Sequence, residues 1–255
     1  DVAIQANVAT MNYAYFLAEL NYAGGFQGRE LLVLDEAHNA EAMLMSFVQV
    51  SVNEAQLRRA GIDRALPPDL GPELAFEFVE ELMPELKRRS KAVELELQVD
   101  SASESGMQNL RLKQWLDSHL ERSRLLLESH ESGDIDWVVE RTRGDMGQSL
   151  GFKPVEVARF ADELLFGHAE RVLMLSATIL DAGTYLRSLG IDEDEVEVIT
   201  VPSTFPASRR PVVLRPAARM TRRYIDRDLP LLAAAIADLA AEHPYEKGVI
   251  HAHSY

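Results

Sequence analysis

The sequence predicts an α/β fold, on three observations. Leu31-Leu32-Val33-Leu34 and Val172-Leu173-Met174-Leu175 are unbroken apolar runs ending in charge or in small hydroxyl residues, the pattern of strands buried on both faces of a parallel sheet. Between them, from about Ser51 to Gly147, apolar residues recur at helical spacing: Leu74, Phe78, Leu82 and Leu86 in one stretch, Leu112, Trp115, Leu116 and Leu120 in another. The 255 residues, 47% hydrophobic and 26% charged, can build a sizeable core, and this excludes disorder as a description of the whole chain.

Taken in order, Tyr13, Phe16, Leu17 and Leu20 mark a first amphipathic helix ahead of the Leu31 strand. The helical stretch after that strand is bordered by breakers, Pro67-Pro68 and Gly71-Pro72 early and Gly144 and Gly147 late, and its Ser-rich segment Asp100–Gly106 reads as a loop. A helix through Val155, Phe160 and Leu164 leads into the Val172 strand, and a further helix runs from Tyr185 to Leu189. Val196–Ile199 is expected to be a strand, Leu229–Leu239 a helix, and Val249–Ala252 the start of another strand. This organisation divides the chain into residues 1–50, an insertion at 51–148, a return to α/β texture at 149–203, and a linker with the start of a second domain at 204–255.

Acidic residues outnumber basic ones 41 to 26, a formal charge of -15 that repels nucleic acid on average. The exception is a basic island containing Arg209, Arg210, Arg215, Arg219, Arg222, Arg223 and Arg227. It either tracks a phosphate backbone or forms a solvated linker face. With no cysteine, the chain holds no disulfide, thiolate zinc site or iron-sulfur cluster of its own. No apolar run approaches the roughly 18 residues of a membrane helix and no signal peptide opens the chain, so a soluble, cytoplasmic protein with no membrane contact is expected. The chain opens on Asp1 and closes directly after an apolar run, which reads as a piece of something longer.

The chemistry concentrates at the ends of the two apolar runs. In parallel α/β sheets ligands sit beyond the carboxyl ends of the strands, so Asp35 and Glu36 are delivered to that rim. Asp35 is placed to hold a magnesium ion through water, and Glu36 to polarise an attacking water. His38 can link this rim to another element by a hydrogen bond. Carboxylates also suit the first turn of a helix, but Ala37 and His38 make the string more specific than a bare Asp-Glu pair. Ser176 and Thr178, at the end of the second run, can bond across to His38 or Glu36; standing alone, such a pair is more often a helix cap.

Together these strings resemble the DEAH-type superfamily 2 helicases, and in detail the XPD/DinG-like family. Asp35-Glu36-Ala37-His38 resembles motif II and Ser176-Ala177-Thr178 motif III; Thr10–Leu17 is similar to the Asn-Tyr segment before motif II. Pro202–Pro206 is similar to the stretch leading into the second motor domain, and Gly248–Tyr255 resembles motif IV, with its terminal Ser254-Tyr255. The resemblance implies a RecA-like parallel-sheet motor domain, incomplete here, interrupted by a mainly helical Arch-type insertion and followed by the start of a second RecA-like domain. It implies ATP and Mg²⁺ as cofactors, single-stranded DNA as partner and 5′ to 3′ travel. A 4Fe-4S cluster in the parent protein would lie upstream of this chain. Asn12 and Tyr13 would touch the single strand, together with Arg209, Arg210, Ser254 and Tyr255. No Gly-x-x-x-x-Gly-Lys-Ser/Thr loop occurs in the sequence, so the chain alone is not expected to hydrolyse ATP.

Two other classes stay open. One is a catalytically silent module whose acidic insertion, with Glu77, Glu80, Glu81 and Glu85, binds a protein partner or DNA. The other is a metal-dependent phosphate enzyme using Asp35 and Glu36 with His251 and His253, two residues apart on one strand face. Trp115 and Trp137 read as core residues rather than as base-stacking platforms.

Overall fold

The computed structural model describes residues 5–26, 28–67, 71–100, 103–144, 147–209 and 211–251. The protein is mixed α/β and divides into two compact units, Asp1–Val198 and Ile199–Tyr255.

In the first unit, helix α1 (Tyr13–Ala18) is capped by Asn12, whose Oδ1 accepts the Tyr15 amide at 2.8 Å, and runs on into a wider turn at Glu19–Ala23. Strand β1 (Arg29–Leu34) follows, then α2 (Ala40–Val48), β2 (Val50–Asn53) and the short α3 (Glu54–Arg59). Two long helices, α4 (Pro72–Val99) and α5 (Glu104–Ser132), form an antiparallel pair. Pro72 sits at the first turn of α4, where its missing N–H costs nothing. A hairpin of β3 (Trp137–Gly144) and β4 (Gly147–Pro154) leads to α6 (Ala158–Leu164), β5 (Ala169–Met174) and α7 (Ala182–Ser188).

Two sheets result. β1 and β5 are parallel, in the register Leu31↔Arg171 to Leu34↔Met174. β2, β4 and β3 form an antiparallel sheet, with Val50 opposite Phe152 and Val139 opposite Phe152 on its other side. Each sheet carries its own core. Phe152, Leu86, Leu116 and Leu126 are fully buried where α4 and α5 pack on the antiparallel sheet. Leu17, Leu44, Leu165 and Ala161 are fully buried around the parallel pair. Trp137 packs against both cores, edge-on to Phe160, with its indole N–H donated to Ser129 Oγ at 3.1 Å.

The structure corrects several sequence expectations. The β1–β5 pair is not buried on both faces: Leu31, Val33 and Leu173 are about half exposed, while Leu34 is buried, because the described helices cover one face only. The insertion is accompanied by an antiparallel sheet whose strands straddle residues 50–53 and 147–154. The Asp100–Gly106 loop is short, because Ser103 Oγ accepts the Gly106 amide and starts α5 at Glu104. Leu74 is exposed while Ala75, Phe76 and Val79 join Phe78, Leu82 and Leu86 inside. Neither Val196–Ile199 nor Val249–Ile250 forms a strand; these segments have no neighbour in either sheet to pair with.

In the second unit α8 (Ile225–Glu242) is the main element. Its buried Asp228 accepts from the Arg227 guanidinium and from the Arg219 amide, and the Arg227 bond holds its carboxyl below the usual range. Among the described residues, no helix is long and apolar enough to cross a membrane.

Buried polar groups mark the α4–α5 pair. Ser90 Oγ donates to Asp117, which also accepts Lys113, whereas His119 Nε2 and Ser123 Oγ have no hydrogen-bond partner among the described residues. Burial, with the nearby Arg122 charge, pushes the His119 imidazole down to about 4. The native state therefore binds fewer protons than the unfolded chain between pH 6.5 and 4, so stability is full above 6.5, falls as pH drops toward 4 and levels off below it. Unfolding free energies from urea titrations at pH 7 and pH 4 should differ by about 3 kcal/mol more in the natural protein than in His119→Leu.

Candidate functional site

The rim at the ends of β1 and β5 is made by two backbone hydrogen bonds beyond the strands themselves. The Leu175 N–H donates to Leu34 O at 2.9 Å, and the Ala37 N–H donates to Leu175 O at 2.9 Å. The ladder thus continues past its last regular residues and sets the 35–38 and 176–178 segments side by side. Ala37 is fully buried, so only a small side chain fits there. Its carbonyl accepts the Tyr185 hydroxyl at 2.5 Å, and the Tyr13 hydroxyl donates to Asp35 O at 3.0 Å.

On this frame the polar side chains form a continuous chain. His38 Nδ1 lies 2.9 Å from Ser176 Oγ and 3.3 Å from Glu36 Oε2. Ser176 Oγ in turn accepts the Thr178 amide at 3.1 Å and lies 3.4 Å from Thr178 Oγ1. Glu36 and Ser176 thus meet at the same ring nitrogen of His38, which carries one proton or one lone pair to share between them. The Asp35 carboxylate accepts the Glu36 amide through Oδ1 at 2.9 Å, which leaves Oδ2 for another partner.

Glu36 is held at φ 49° and ψ 43°, the only positive φ at a non-glycine residue among the described residues. A side chain in this region costs roughly 1–2 kcal/mol. The conformation turns the chain sharply after Asp35, so that Ala37 returns to the β5 side and His38 reaches Ser176.

Magnesium takes one or two protein carboxylates and completes its shell with water and phosphate oxygens. Asp35 and Glu36 fit that requirement. Among the described residues no group of three or more His, Cys, Asp or Glu side chains is placed to hold a metal by itself, so an ion here depends on phosphate oxygens for the rest of its shell.

The structure brings Asp35, Glu36, His38, Ser176 and Thr178 together. Tyr13 joins them through its hydroxyl, while the Asn12 side chain is engaged as the α1 cap. Arg209 lies in a short turn of the second unit, Ala207–Arg209. Arg210, Ser254, Tyr255 and His253 lie outside the described residues, and His251 is exposed without regular structure.

Tyr185 is the site residue that sequence reasoning missed. Burial, aided by Tyr13 and Glu41, pushes its phenol up to about 12. Burial also raises the Tyr13 phenol, with the Asp35 and Glu36 charges adding to it. Both therefore stay protonated and donate across the neutral range. The signal was its place one turn into the helix that follows Thr178.

No family model matches this chain, and no curated protein matches it.

Glu36→Gly relieves the left-handed strain and should raise the unfolding free energy by up to about 1 kcal/mol while removing the carboxylate. Tyr185→Phe, which leaves the Ala37 carbonyl without its donor, should lower it by about 1 kcal/mol. Chemical denaturation of the three proteins side by side checks both signs.

Proposed function

We propose that the chain is part of an ATP-dependent DNA helicase motor of the XPD/DinG-like kind, coupling nucleotide hydrolysis to movement along single-stranded DNA. The observation that carries this reading is the 2.9 Å contact between His38 Nδ1 and Ser176 Oγ, which ties a carboxylate rim to a second strand end 138 residues away. A simple helix start would not need that partner.

In this reading Asp35 holds a magnesium ion through water, and the bound ion supplies positive charge to the phosphates. Glu36 orients the attacking water and takes up its proton. His38 senses the Glu36 carboxylate at one ring nitrogen and passes its position to Ser176 and Thr178, whose segment responds to the strand. Tyr13 and Tyr185 fix the backbone carbonyls of Asp35 and Ala37, so the carboxylates do not drift. The sequence has no phosphate-cradling Gly-Lys loop, so turnover requires one from outside these 255 residues. The parallel β1–β5 pair and the long helical pair that interrupts it are consistent with a RecA-like motor carrying an Arch.

The missing loop also favours a second reading, a binding module without turnover. The two separate in one pair of measurements on the complete protein. Glu36→Gln should lower ATP hydrolysis by at least about 100-fold while leaving ATP binding intact, and His38→Ala should leave ATP binding but cut DNA-stimulated turnover. Near-normal hydrolysis in Glu36→Gln sinks the motor reading.

A further inference from the structure

A cleft of about 780 Å³ lies where α1, the following turn and α2 meet α5, away from the carboxylate rim. That size falls within the roughly 300–1,000 Å³ of small-molecule sites. One wall carries Tyr22 stacked on Phe47, ring centres 5.0 Å apart and planes 22° from parallel. The α5 wall carries Trp115, itself stacked on His119 at 5.0 Å and 21°. Tyr15 adds a fourth, half-exposed ring.

The polar groups narrow the occupant. Arg122 is the cleft's one cation among the described lining residues, and its guanidinium is bonded to the Ser118 carbonyl and hydroxyl within α5. Glu19 and Asp117 also line the cleft, the Asp117 carboxylate already paired with Lys113. A polyanion entering here would gain little from a single arginine that is bonded within its own helix and shares the lining with two carboxylates. Ring faces, by contrast, attract flat apolar surfaces and positive charge.

We propose that this cleft is a binding site for a planar aromatic molecule of two or three fused rings, neutral or cationic. It uses no residue of the carboxylate rim; Ala14, Tyr15 and Leu17 belong to the Thr10–Leu17 segment, and the oligonucleotide competition below separates this site from a DNA-binding one. Its position links ligand binding to both cores, since one wall belongs to the parallel-sheet region and the other to the helical pair.

Proflavine, a three-ring cation, is the probe. The chain has two tryptophans, so in a Trp137→Phe background the Trp115 emission alone reports the cleft. Proflavine should quench it saturably with one site per chain. Ser46→Phe, which fills the cleft, and Tyr15→Ala, at an exposed position, should each weaken binding at least tenfold with circular dichroism unchanged. A naphthalene sulfonate dye and a dT oligonucleotide should not compete. Unsaturable quenching, an unchanged affinity in Tyr15→Ala, or displacement by the oligonucleotide at comparable concentration overturns the proposal.

Discussion

Two backbone hydrogen bonds, from Leu175 to Leu34 and from Ala37 to Leu175, set the geometry on which the candidate site depends. Peptide groups have fixed length and direction, so a ladder that continues past the last residue of each strand aligns the two segments beyond it to within a fraction of an ångström. The side chains at the rim are mostly exposed and would otherwise sample many rotamers. Their backbone, in contrast, is anchored by a fully buried alanine and by two tyrosine hydroxyls. The rim therefore combines an anchored backbone with polar ends open to solvent.

Much of this was legible in the sequence because apolar runs and helical periodicity are local signals. The Leu31 and Val172 runs mark two strands, and the helical spacing of Phe78, Leu82 and Leu86 is matched by their place on the buried side of α4. Charge at the end of one run and hydroxyls at the end of the other place both groups at one rim, and their contact follows from parallel pairing. What stayed hidden was non-local. Whether Leu31 and Val33 are covered depends on neighbouring strands, not on their own sequence. The antiparallel sheet was masked by long charged helices, because β2 has only four residues and β2 and β4 lie at the edges of the helical texture. Val196–Ile199 has β-forming residues but pairs with no strand among the described residues, and strand propensity without a partner does not make a strand. The left-handed Glu36 is invisible to residue type, since glutamate gives no hint of a positive φ.

The half-exposed face of the β1–β5 pair carries a physical cost of its own. Leu31, Val33, Leu173 and Leu175 present a contiguous apolar strip on a sheet of only two strands. Exposed strips and open strand edges attract copies of themselves.

The junction between the two cores has a mechanical meaning. A single residue, Gln49, separates α2 from β2, and β4 runs within four residues of α6. With Trp137 wedged into both cores, the long helical pair has no slack at its base and tilts only as its sheet tilts. Helix α4 is 28 residues long, about 42 Å at 1.5 Å per residue. A rotation of about 5° at the sheet would carry its far end by roughly 4 Å, so the helical pair magnifies any tilt of the sheet it packs on.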